Sequence, residues 1–239
     1  MSVLLAEDRG AVRLLTMNRP TKRNALNTEL TRALLAAFQE ADEDDAVRCI
    51  VLTGAGQAFC AGADLSEFKE FQDPAAADAR AGLTMELNLI FSKMAKPVVT
   101  AINGAAMGGG AGLALAGDLA LMAQGAQLGY PETRHGIVAA IVMANLVRQV
   151  GRKAAFELVA LGEPVDSQRA FALGMVNRVV ADADLPGEAM RLAEKLSKVK
   201  PDALRATKQL FHEVADLPLE EALRRGRETN KRMRAFLKP

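Results

Sequence analysis

Hydrophobic and polar residues follow two rhythms along this chain. Ala11 to Met17 is apolar with Arg13 and Thr16 interspersed, and Val47 to Thr53 is richer in β-branched residues; both predict strands. Between them, Leu30, Ala33, Leu34, Ala37, Phe38 and Ala41 recur at the helical period, with Asn27 placed as the N-cap. The acidic run Glu40, Asp42, Glu43, Asp44 and Asp45 closes that helix. It reads as a solvated helix end, because contiguous carboxylates lack the ligand spacing of a calcium loop. No metal site is expected.

Val98 to Ile102 predicts a third strand, running into Asn103-Gly104 and then Gly108-Gly109-Gly110. Leu113 to Leu121 fits helix or strand, and Val176 to Val180 predicts a further short strand. Alternating strands and helices imply a layered α/β domain. From Gly187 onward only helical patterns remain: Glu188 to Val199, a Pro201-initiated helix to about Val214, and a Pro218-initiated helix to about Leu237. The expected organisation is a core of residues 1–186 followed by a helical region, 187–239. Ser66 to Met85, with Pro74, an alanine run and Gly82, has the weakest pattern and predicts a mobile helix and loop bordering a site.

Composition narrows the function classes. The 239 residues are 50% hydrophobic, enough for one substantial core. Thirty basic residues against 29 acidic ones leave a net charge of +1, so no global field draws the chain to nucleic acid or to an anionic membrane. The basic tail (Arg224, Arg225, Arg227, Lys231, Arg232, Arg234, Lys238) is the one feature favouring nucleic acid, and only ten aromatic residues accompany it. Cys49 and Cys60 fit neither a zinc site nor a disulfide framework. Met1 to Gly10 has no apolar core of a signal peptide, so a cytoplasmic location is expected. Pro97 to Gly117 is a 21-residue stretch without charge, but six of these residues are glycine, which disfavours a membrane helix.

Two glycine-containing turns carry candidate chemistry: Phe59-Cys60-Ala61-Gly62-Ala63-Asp64, and Asn103 through Gly110. Small residues let a ligand approach the backbone and leave amide N–H groups free to point at it. No Gly-Lys-Ser or Gly-Lys-Thr follows, and the pattern starting at Gly108 lacks the third glycine of a dinucleotide fingerprint. His135 and His212 are the only histidines. His135 shares a face with Glu132 only if that turn is helical, and Cys60 reads as a small packed hydrophobe.

Taken in order, these segments resemble the crotonase (enoyl-CoA hydratase/isomerase) superfamily. The resemblance is carried by Asn18-Arg19-Pro20 through Asn24-Ala25-Leu26, by Ala58 to Asp64, by Lys96-Pro97-Val98 to Gly110, by Tyr130-Pro131-Glu132, and by Ala170 to Val179. It implies an α/β fold built as a spiral of ββα units, a C-terminal helical trimerisation region, and a homotrimer or dimer of trimers. It also implies an acyl-CoA thioester substrate, with coenzyme A as part of the substrate and no separate cofactor.

By the same resemblance, the amides of Ala63 and Gly109 form the oxyanion hole and Glu132 transfers the proton. Lys22 and Arg23 reach the nucleotide end of coenzyme A, and Ala25, Ala61, Asp64, Leu65 and Gly112 complete the substrate-binding set. Gly112 is a departure, because two-glutamate hydratases of the family carry a glutamate there. Gly136 and Ala140 stand where dienoyl isomerases and dehalogenases need aspartate. The implied reaction is hydration or isomerisation of an enoyl-CoA with one glutamate; the alternative is an acyl-CoA binding protein that has lost catalysis. Acyl selectivity is expected from Ser66 to Met85 and from Ile137 to Leu146.

Overall fold

The computed structural model describes residues 2–67 and 73–234. The chain opens with a hairpin, β1 (Leu4–Arg9) against β2 (Val12–Met17), followed by α1 (Thr28–Glu43). β3 (Cys49–Gly54), β4 (Ala58–Cys60) and α2 (Pro74–Lys93) form one ββα unit. β5 (Val98–Ile102), β6 (Ala105–Met107) and α3 (Gly109–Ala116) form the next. β7 (Leu119–Ala123) and β8 (Gln127–Gly129) start a third, continued by α4 (Met143–Val150) and α5 (Arg152–Leu161). Then come β9 (Val165–Asp166), α6 (Ser167–Ala172), β10 (Arg178–Val180), α7 (Leu185–Ser197), α8 (Pro201–Val214) and α9 (Leu219–Arg232).

The first strand of each unit joins a six-stranded sheet in the order β1-β2-β3-β5-β7-β10. The second joins a smaller sheet, β4-β6-β8-β9. β3, β5 and β7 pair in parallel, and their near-continuous apolar runs follow from burial on both faces. β1 is largely exposed, carrying Glu7, Asp8 and Arg9. It blunts the sheet edge with charge, and its lack of apolar alternation explains why the sequence pattern gives no strand there.

The Asn27 side chain accepts the Leu30 amide at 2.9 Å and starts α1 as expected. The buried face includes Leu30, Leu34, Phe38 and Ala41, and Phe38 meets Phe91 of α2 edge to face at 5.0 Å. Such a pair adds roughly 0.5–1.5 kcal/mol beyond area burial. The acidic run is more engaged than a solvated end. Arg13, itself 7% exposed, bridges Asp8, Glu40 and Asp44, while Asp42 accepts the Ala95 and Lys96 amides.

The uncharged stretch from Pro97 folds as β5, β6 and α3, and no helix among the described residues is long and apolar enough to cross a membrane. Leu113 to Leu121 is both helix and strand, divided at Gly117. A side chain there would meet Thr100 Cγ2 at 2.7 Å. The helical tail begins at Leu185, before Gly187. Its α7 buries Leu185, Ala189, Leu192 and Ala193 in the main core. In α8, Lys208 donates to Asp118 and to the Lys96 carbonyl, both at 2.8 Å, and this ties the helix to the sheet. Leu237 and Lys238 lie outside the described residues, as do residues 68–72 of the Ser66 to Met85 stretch. The rest of that stretch includes the first part of α2, capped by Asp73.

Candidate active site

Two chain segments are stitched together at the centre of the site. Arg23 accepts the Ala61 amide at 2.9 Å, Leu26 donates to Gly62 O at 2.7 Å, and Leu26 O accepts the Asp64 amide at 3.1 Å. Leu26 and Ala63 thus form a parallel bridge. In such a bridge the amides and carbonyls alternate in direction, so the N–H of Ala63 itself points away from Leu26. Gly62 takes a left-handed φ of +92°, and a side chain there would meet Met107 O at 2.6 Å. Only glycine fits without strain.

The third segment enters at Gly108, whose φ of +53° turns β6 into α3. Gly109 follows as the first residue of α3, and a Cβ on it would lie 3.7 Å from Ala63 N. Among the described residues neither the Ala63 nor the Gly109 amide donates to the chain. Two free amides therefore lie close together, at the N-terminus of a helix whose dipole adds partial positive charge. Such a pair of donors can stabilise a negative oxygen.

Glu132 lies beside them, in a short 3-10 turn (Pro131–His135) that follows β8. Its Oε1 is 2.7 Å from where a Gly108 Cβ would stand. Its Oε2 is buried without a partner among the described residues, as is the hydroxyl of Tyr130. Burial raises the Glu132 pKa, opposed by a bond from its own backbone amide and by His135. A carboxyl held above its ordinary pKa is better suited to both taking up and giving back a proton. Burial raises Tyr130 as well, and the charge of Glu132 adds to this.

Gly112 lies one helical turn beyond Gly108. A Cβ there would fall 2.2 Å from Val142 Cγ1 and 3.5 Å from Asn88 Oδ1, so the space next to Gly112 is filled by the residue that precedes α4. Asp64 is buried and paired with Arg19 at 2.8 Å. The Ser66 hydroxyl, and then Arg19, hold its carboxyl below the usual range. Ala61, Ala63 and Leu65 are exposed and alternate with the buried Gly62 and Asp64. Lys22 and Arg23 are exposed at the adjoining turn, while Ala25 is buried.

Other candidates fall elsewhere. His135 is exposed. His212 approaches Asp118 at 3.4 Å in the Lys208 cluster under α8. Cys49 and Cys60 are free and buried, with thiols pushed up to about 12 by burial. Among the described residues no group of three or more His, Cys, Asp or Glu is placed to hold a metal. In the tail, Arg225 pairs with Glu213 of α8, Arg224 with Glu220 and Lys231 with Glu228. Tyr130 belongs to the Tyr130-Pro131-Glu132 segment already named, whereas Val142, Asn88 and Arg80 are not singled out individually by the sequence, since each is placed by tertiary packing.

A family model described as enoyl-CoA hydratase/isomerase matches residues 7–235. The chain is similar to the 2,3-dehydroadipyl-CoA hydratase of Escherichia coli, 37% identical over 232 residues, covering 95% of this chain and 89% of that protein. It is also similar to the 1,2-epoxyphenylacetyl-CoA isomerase of Escherichia coli, 33% identical over 229 residues, covering 93% and 87%. A crystal structure of an enoyl-CoA hydratase from Mycobacterium smegmatis superposes with a TM-score of 0.93 at 32% identity, covering 98% of this chain and 91% of that one.

Proposed function

The chain belongs to the enoyl-CoA hydratase/isomerase family, the crotonase superfamily, and we propose that it moves or hydrates the double bond of an enoyl-CoA through a thioester enolate. The observation that carries this reading is the closeness of the unpaired Ala63 and Gly109 amides, with the Glu132 carboxylate against the neighbouring Gly108. The thioester oxygen sits between the two amides. In isomerisation of a 3-enoyl-CoA, Glu132 takes a proton from C2, the electron pair collects on the thioester oxygen, and the proton returns at C4. In hydration, the oxygen of water bonds to C3, its proton passes to Glu132, and Glu132 returns that proton to C2 as the enolate collapses. Each donor in such a hole is worth about 3 kcal/mol at the transition state.

Filling of the space beside Gly112 by Val142 favours isomerisation, because hydration needs a second group to orient water. One Escherichia coli relative is named as a hydratase and the other as the isomerase of an epoxide. Side-by-side assay of a 3-enoyl-CoA and crotonyl-CoA tests this, with faster turnover of the 3-enoyl-CoA expected. Good thioester binding with no turnover of either would instead support the non-catalytic reading.

Lys22 and Arg23, exposed at the mouth of the site, suit the phosphates of coenzyme A. Residues 187–239 are assigned to assembly as a homotrimer or dimer of trimers. Exposed Phe211, Leu219, Leu223 and Met233 support that assignment, and solution mass tests it.

A further inference from the structure

We propose that Arg80 is a positioning residue that aims one donor of the oxyanion hole, an inference that rests on the enolate reading above. Arg80 lies on α2, and its polar partners among the described residues are Leu26, Thr84 and Glu67, not Ala63 or Gly109. Its Nη2 donates to Leu26 O at 2.8 Å, and its Nη1 donates to Thr84 Oγ1 at 2.7 Å. Glu67 stands 3.7 Å from its Nε. Arg80 and Glu67 are both largely buried, with side chains 14% and 18% exposed, which is unusual for a pair of charged residues.

Leu26 is the link. Its N–H and C=O hold Gly62 O and Asp64 N, and this grip turns the intervening Ala63 amide away from Leu26, with Ala63 N 3.7 Å from where a Gly109 Cβ would stand. Leu26 O therefore serves two donors, the Asp64 amide and the Arg80 guanidinium. Glu67 completes the frame: its carboxylate accepts the Thr28 amide at 2.9 Å at the start of α1, and its own amide donates to Asp64 O at 3.1 Å. One cation on α2 thus fixes the strand on which the Ala63 amide depends. A fork of fixed N–H groups suits this task better than a flexible ammonium. Misplacing a catalytic group by about 1 Å costs on the order of 10²-fold in rate.

The test compares Arg80→Met and Arg80→Lys with the native protein. Three quantities are measured: isomerisation of a 3-enoyl-CoA, the Kd of butyryl-CoA, and the red shift in absorbance when 2,4-hexadienoyl-CoA binds. That shift reports polarisation of the thioester carbonyl by the hole. Arg80→Met is expected to lower kcat by about tenfold to hundredfold, keep the butyryl-CoA Kd within about threefold, and shrink the red shift. Arg80→Lys is expected to restore part of both kcat and shift. Unchanged kcat and shift would overturn the proposal, and so would a fall in kcat with the full red shift kept, since that marks a merely structural role. Should Arg80→Met not fold, Arg80→Gln is judged by the same criteria. No red shift and no turnover in the native protein would reject the enolate reading itself, a result distinct from failure of the variants alone.

Discussion

Gly108 and Glu132 interlock: a single carbon added to Gly108 would stand 2.7 Å from Glu132 Oε1 and 3.3 Å from its Cδ. Gly108 is also held at φ +53° and ψ −119°, which L side chains rarely adopt. Gly108→Ala is therefore predicted to displace the carboxylate, lower kcat by about 10²-fold and cost roughly 1–3 kcal/mol of stability. Steady-state kinetics with thermal melts of the variant check both parts.

The raised pKa of Glu132 makes a pH prediction with a definite sign. Below the ordinary glutamate pKa of about 4.3 the carboxyl is protonated in both folded and unfolded chains and costs nothing. As pH rises through the folded pKa, burial penalises the charged form, so native stability drops relative to a neutral residue. Glu132→Gln is predicted to melt higher than the native protein at pH 7.5, with the advantage fading as pH falls toward 4. Melting curves across that range decide it.

Val142 closes the space next to Gly112, so restoring a glutamate there requires more than one change. Gly112→Glu alone is predicted to destabilise by about 1–3 kcal/mol through overpacking and to gain no hydration of crotonyl-CoA. Gly112→Glu combined with Val142→Ala is predicted to recover most of that stability and to raise the ratio of hydration to isomerisation. Denaturant melts and paired assays of the double and single variants measure both effects.

Asp64 and Arg19 hold the turn behind Ala63. Asp64→Ala leaves the largely buried Arg19 without its carboxylate and is predicted to cost toward the low end of about 3–5 kcal/mol. The Asp64 pKa is depressed, so its contribution is present above the unfolded value of about 3.9 and is lost as pH falls through the folded pKa. The difference between native and Asp64→Ala stability should shrink in acid, as urea melts at pH 7 and pH 3 would show.

Much of this arrangement is legible in the chain because it depends on local rules. Asn27 before an apolar stripe gives α1, and Val98 to Ile102 gives β5 by β-branching and burial. Gly62, Gly108 and Gly109 mark where backbone must approach backbone. What escapes the sequence is non-local. β1 is a strand by pairing alone, its residues exposed and charged. The roles of Val142 and Arg80 appear only when α4 and α2 are set against α3 and Leu26. Gly112 shows from sequence that a side chain is missing, but only packing shows what fills its place.

The most direct test of the central claim is the turnover of a 3-enoyl-CoA and of crotonyl-CoA by the native protein and by Glu132→Gln, with the Kd of butyryl-CoA measured for both. The prediction is that the native protein turns over at least the 3-enoyl-CoA. Glu132→Gln should lower that rate by about 10²–10⁴-fold while holding Kd within about threefold. Equal rates for the two proteins, or firm thioester binding with no turnover by the native chain, would contradict it.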